Sequence, residues 1–386
     1  MTRVAVSPDM LRWARERANL EVEDLLSRFA KLPEWEVGKI QPTLKQLEKF
    51  AKAVYVPFGL LFLREPPRED LPIPDFRTFD NKKVVRPSPN LLDMLYACQE
   101  RQSWYRDFAQ MNRQPQLSFV GSAKLADKPE DVATDIREAI GFTMDARLKY
   151  ATWEDALRLF IRNAENVGIL VMVSGVVFSN NNRKLDTKEF RGFALADYLA
   201  PLVFVNGADS KSGQMFTLAH EIAHLWLNAT GISNASATPV TGFRKEEVWC
   251  NAVAAELLVP MNLLRPILRN HDDETLEQSV SRLVKYFKVS TLVMLRRLLD
   301  AGWLEKPEFD WAWEREKAHL NEIAERSGSG GDFYRTTISR VSRNFTEALV
   351  ISTLEGQTLY RDAFRMLGIS KTETFNNLGR EVGIPL

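Results

Sequence analysis

One segment constrains this chain more than any other: Phe216-Thr217-Leu218-Ala219-His220-Glu221-Ile222-Ala223-His224-Leu225-Trp226. Its few polar side chains sit in an otherwise apolar run, as a buried helix requires. A helix over 212–228 places His220 and His224 four residues apart, on one face. Their imidazole nitrogens can then reach a single zinc ion at about 2.0–2.1 Å. Glu221 follows the first histidine, so its carboxylate can take a proton from a water on that ion.

A catalytic zinc needs a third protein ligand and one open position. The best candidate is Glu247, in the run Glu246-Glu247-Val248-Trp249-Cys250-Asn251 that continues to Pro260. On a helix over 246–258, Glu247, Asn251, Ala254, Ala255 and Leu258 share a face. Small Ala254 and Ala255 allow that face to pack closely against the histidine helix. Glu246 and Glu256 are weaker candidates. His271 and His319 have no partner at ligand spacing, and Cys250 reads as a small buried residue.

The surroundings divide into several regions. Residues 1–66 read as a bundle of short helices, opened by Ser7 as N-cap and Pro8 at the first helical position. Six prolines between 66 and 89 make 67–90 a linker. Residues 91–150 read as a helical connector. Between 166 and 206 the pattern switches to β-rich runs at 168–173, 176–178, 190–195 and 201–205, whose short joins suggest an antiparallel sheet. Helices follow at 212–228, 246–258, 260–268 and within 274–300, and 271–386 is helical apart from a flexible break at 327–331. The expected fold class is mainly α with a small β-sheet (α+β), and the zinc site falls within 151–270.

Composition excludes some classes of function. Lys plus Arg and Asp plus Glu both number 51 among 386 residues, giving a net charge of zero, so any nucleic-acid contact must be local. Two cysteines, Cys98 and Cys250, cannot make a disulfide framework and suit a reducing compartment. Residues 1–5 lead into no apolar signal core, and the runs at 53–63 and 167–178 are too short to cross a bilayer. These features favour a cytoplasmic protein without membrane association.

At 189–193, 201–206, 216–224, 247–251 and 254–260 the chain resembles the ImmA/IrrE family of metallo-endopeptidases. The resemblance covers about residues 150–268. It implies a reduced zincin-like fold holding Zn2+, with Glu247 matching the glutamate ligand beside His220 and His224, and Glu221 as the catalytic base. It also implies a protein substrate such as a helix-turn-helix repressor or the neighbouring gene product. Residues 7–63 look like an XRE-type helix-turn-helix domain at 11–16, 35–38, 42–43, 46–48 and 56–57. That likeness implies contact with DNA and an alternative function, as a transcriptional regulator or toxin–antitoxin component whose zinc fold is dormant or structural. There is one departure: Pro33 falls where a recognition helix belongs, and Lys31 is its only obvious basic residue. Arg12, Arg15, Arg17 and Arg28 are open to phosphate contact or to a solvated helix face. Tyr198 and Arg191 are both open as oxyanion partners, and the strands at 190–195 and 201–205 as edges for an extended substrate.

Overall fold

A computed structural model describes residues 3–18, 20–67, 69–75, 87–233, 244–269, 274–326 and 332–385. The chain forms two compact units. The first comprises Met1–Pro72 with Asn81–Leu95, and the second Ile73–Asp80 with Tyr96–Leu386. The break at 327–331 and His271 lie outside the described residues, as does the part of the linker from 76 to 86.

The first unit contains α1 (Pro8–Arg17), α2 (Val22–Leu26), α3 (Leu32–Glu36), α4 (Leu44–Ala53) and a 3-10 turn at Phe58–Phe62. Pro8 starts α1 as expected, but the Ser7 hydroxyl makes no capping bond. At α4 a full capping box forms: Gln46 N–H donates to Thr43 Oγ1 at 3.3 Å and Thr43 N–H to Gln46 Oε1 at 2.9 Å. Met10, Leu11, Leu25, Leu32, Trp35, Leu47, Phe50 and Leu61 are buried together. Inside this small core Arg15 donates twice to Glu36, at 2.7 and 3.1 Å. Arg15 is therefore no solvated face. Arg12 donates to the Glu36 carbonyl at 3.0 Å, and Arg17 to Glu69 at 2.7 Å.

The second unit holds the helices α5 (Pro89–Met111, from Tyr96 onward), α6 (Pro129–Ile140), α7 (Met144–Leu148) and α8 (Trp153–Asn166). Then come β1 (Leu170–Ser174), β2 (Gly192–Leu195), β3 (Leu202–Asn206), α9 (Lys211–Trp226) and β4 (Gly231–Ser233). They are followed by α10 (Lys245–Leu258), α11 (Met261–Arg269), α12 (Leu276–Phe287), α13 (Thr291–Asp300) and α14 (Lys306–Arg326). The last helices are α15 (Phe333–Val341), α16 (Arg343–Leu354), α17 (Tyr360–Leu367) and α18 (Thr372–Val382). The fold is mainly α with one small sheet.

The sheet order is β1-β3-β2-β4, and it is mixed rather than antiparallel. β1 runs parallel to β3, while β2 is antiparallel to both β3 and β4. Both strands considered as substrate edges, β2 and β3, are therefore interior. Residues 176–178 form no strand. The chain turns after β1, where the Ser174 hydroxyl donates to the Val176 carbonyl at 2.6 Å, and Phe178 takes a positive φ of 53°. Of the three, Val177 is fully covered and Phe178 is exposed.

One face of the sheet, with Val171, Ala194, Val203 and Val205, shares its core with α6, α8, α9 and α10. The other face carries Met172 and the stacked pair Phe193–Phe204, with ring centroids 4.9 Å apart. There Cys98 of α5 meets Met172 at 3.8 Å, and Arg101 donates through two nitrogens to the Met366 carbonyl of α17. The sheet is thus a middle layer, and α9 is buried from Gln214 to its end. Among the described residues no helix is long and apolar enough to cross a membrane.

Candidate metal centre

Two helices build the centre. Along α9 every residue from Ser212 to Trp226, apart from Gly213, is buried, so its polar side chains must find partners within the protein. α10 packs against α9, and its Val253, Ala254 and Leu257 are fully buried. The end of α10 is held by three arginines. Arg137 donates to the Glu256 carbonyl at 2.6 Å, Arg147 to the Leu258 carbonyl at 2.6 Å and Arg297 to the Val259 carbonyl at 3.0 Å. Positive groups at a helix C-terminus satisfy its orphan carbonyls and oppose its dipole. Burial pulls the Arg147 guanidinium down to about 9. Arg297 also pairs with the Glu256 carboxylate at 2.5 Å, which occupies that weaker ligand candidate.

This packing brings His220, His224 and Glu247 together, all buried, with ligand atoms within 4.8 Å of one another. The two Nε2 atoms are 3.0 Å apart. Glu247 Oε2 lies 3.3 Å from His220 Nε2, and Oε1 lies 3.0 Å from His224 Nε2. Ligands at the corners of a zinc tetrahedron stand roughly 3.3 Å apart, given the usual bond lengths. Neither Glu247 oxygen has a hydrogen bond of good geometry, although both are buried. His220 Nδ1–H donates to Asn251 Oδ1 at 3.0 Å. That bond leaves the His220 Nε2 lone pair facing the centre, which is how a metal-binding imidazole is usually oriented. The donor set and its spacing fit a zinc ion.

The charges agree with this arrangement. Burial pushes the Glu247 carboxyl up, but the two imidazoles outweigh it and bring it to about 2. Burial also depresses His220, yet the charge of Glu247 beside it leaves its pKa above the ordinary value. His224 is lowered, chiefly by burial. Glu221 is raised to about 8 because it is buried, against the opposing pull of His220 and Ser233. A carboxylate so destabilised is a stronger proton acceptor than one in water.

Two residues that sequence reasoning missed complete the surroundings of Glu221. The Ser233 hydroxyl donates to Glu221 Oε1. Gly192 supplies the space: a Cβ there would stand 2.8 Å from that same oxygen and 2.6 Å from Thr217 Cγ2. Asn251 was legible on the shared face with Glu247. Among the other candidates, Cys250 is buried with its thiol pushed well up by burial, and Glu246 is not grouped with the histidines. His319 lies exposed beside Glu316, at 3.7 Å. Tyr198 sits beyond the far end of β2 from Gly192, its hydroxyl accepting from Asn228 Nδ2 at 3.3 Å. Arg191 adjoins Gly192, and its Nη1 donates to Asp209 at 3.3 Å.

With this geometry the comparison with known families becomes specific. Residues 164–299 match the family described as the IrrE N-terminal-like domain. The match supports the ImmA/IrrE resemblance. It supports a likeness of this region to a zincin-like metallopeptidase family, which is zinc-dependent in general. All the residues of the centre fall inside it. Residues 341–381 match a domain of unknown function, which coincides with α16–α18. No curated protein and no solved structure matches the chain.

Proposed function

We propose that this protein is a zinc-dependent endopeptidase that cleaves a partner protein, with His220, His224 and Glu247 as ligands and Glu221 as general base. The observation that carries the reading is a buried set of three converging ligand atoms beside a buried glutamate of raised pKa. Zinc held there supplies a Lewis acid that polarises a peptide carbonyl and acidifies water. Asn251 fixes the His220 ring, and α10 presents the Glu247 carboxylate to both imidazoles. Glu221 takes a proton from the attacking water and returns it to the leaving amine. Its Oε2 is buried and makes no hydrogen bond of its own, so it can receive that proton.

For the first unit we favour an XRE-type helix-turn-helix arrangement used to recognise a partner rather than to read DNA. α3 buries Leu32, Trp35 and Glu36, and the Glu36 carboxylate is bonded to Arg15. That leaves Pro33 and Glu34 facing outward, where base reading needs several donors on an exposed helix. The substrate is then a regulatory protein such as a helix-turn-helix repressor, in a reducing cytoplasm that suits two buried free cysteines.

Co-expression with the neighbouring gene product, wild type against Glu221→Gln, tests the proposal. Wild type should cleave the partner. Glu221→Gln should keep its zinc but lose about 10²–10⁴ of the rate. Undiminished cleavage by Glu221→Gln would overturn the mechanism. A sequence-specific DNA footprint that survives the substitution would favour the regulator with a dormant centre.

A further inference from the structure

We propose that Ser233 is a positioning residue for Glu221, holding its carboxylate beside the cluster of His220, His224 and Glu247. The inference rests on the peptidase reading above. A glutamate has three side-chain torsions, and a general base is effective only when its oxygen stays within reach of the proton it takes. The structure supplies a clamp. Ser233 is fully buried, and a buried hydroxyl needs a hydrogen-bond partner. It donates to Glu221 Oε1, and the other carboxylate oxygen is left without a hydrogen bond.

The clamp has two jaws. Gly192 and Ser233 are paired in register across β2 and β4. Any side chain on Gly192 would crowd the oxygen that Ser233 bonds. The carboxylate therefore sits against bare backbone on β2 and under a hydroxyl from β4. A three-residue edge strand frays readily unless both its sides are engaged. β4 is held on one side by β2. On its other side Ile232 N–H donates to the Pro74 carbonyl at 3.0 Å, and Asp75 bridges to Ile232. A serine needed only for its size would be served equally well by alanine, without a hydroxyl to satisfy.

A double-mutant cycle on the full chain tests this. The variants are Ser233→Ala, Glu221→Ala and the double substitution, with thermal unfolding measured on metal-free protein. Ser233→Ala should lower the Tm of the unit carrying the site by about 2–4 °C when Glu221 is present, and by much less when it is absent. In the zinc-loaded protein, with unfolded β-casein as the probe, Ser233→Ala should lower kcat roughly tenfold to a hundredfold. KM and the zinc content should stay unchanged. Equal Tm shifts in the two backgrounds, or an unchanged kcat, would overturn the proposal. Zinc-loaded wild type that cleaves no casein would count against the peptidase reading instead, and the unfolding cycle would still decide the role of the serine.

Discussion

Two helices of this chain carry recognisable motifs, and they treat their polar residues in opposite ways. In α3 of the first unit, Glu36 is buried and already bonded twice to Arg15. In α9 of the second unit, His220 and His224 are buried against a carboxylate whose two oxygens have no hydrogen bond of their own. Both helices bury charge-bearing groups, which is costly unless those groups are paired. In α3 the pairing is complete, and it stabilises the fold. In α9 the two imidazoles converge with the Glu247 carboxylate, their ligand atoms within 4.8 Å of one another, and a function can reside there. Burial of a polar group is thus a weaker sign of a site than burial with unmet bonding capacity.

Removing ligands should widen this contrast most. Purified wild type should carry about one zinc per chain, and His224→Ala or Glu247→Ala close to none, by elemental analysis. A ligand variant that kept stoichiometric zinc would remove the distinction between the two helices. Next in size is the pair in the first unit. Arg15→Ala or Glu36→Ala leaves one buried charge alone and should cost that unit about 3–5 kcal/mol, measured by urea denaturation. Replacing both with apolar residues of similar volume should cost much less. If each single variant were as stable as wild type, the claim that this pair is structural would fail.

The smallest effect concerns a third buried carboxylate, Glu165 at the end of α8. It accepts from the Ser342 hydroxyl and the Arg343 N–H, both at 2.7 Å, and so ties α8 to the start of α16. Burial raises it from 4.5 to about 6, with those bonds opposing. A carboxyl raised in the folded state favours folding when protonated. That contribution is fully present below about pH 4.5 and is lost as the pH rises through 6, an effect of about 2 kcal/mol. Glu165→Gln keeps an oxygen for both donors and should remove this pH dependence from the stability curve. An unchanged curve between pH 4 and about 7 would show that Glu165 is not the group responsible.

Much of the centre was legible because it obeys helical periodicity. The four-residue spacing of His220 and His224, and the face shared by Glu247, Asn251 and Ala254, are local properties of α9 and α10. Ser233 and Gly192 were not legible. Their approach to Glu221 depends on strand pairing between residues 41 positions apart in the sequence, through a β4 of three residues that is too short to show an alternating pattern. The sheet was misjudged for a related reason. Short joins suggested antiparallel neighbours, but β2 lies beyond β3, which leaves β1 and β3 adjacent and parallel. The outlines of the first unit followed from its helix signals, but the sequence could not say that Arg15 turns inward to Glu36.

By itself, then, the sequence determined the mainly helical class with its small sheet and the grouping of two histidines with a glutamate on facing helices. Helical spacing and apolar patterning are set by neighbours a few residues away. Only the tertiary structure decided which polar groups were satisfied by one another and which were not. It closed the Arg15–Glu36 pair, capped α10 with three arginines and set Ser233 against Glu221. Those outcomes depend on where distant segments meet, and hydrogen-bonding capacity is settled only when both partners are in place.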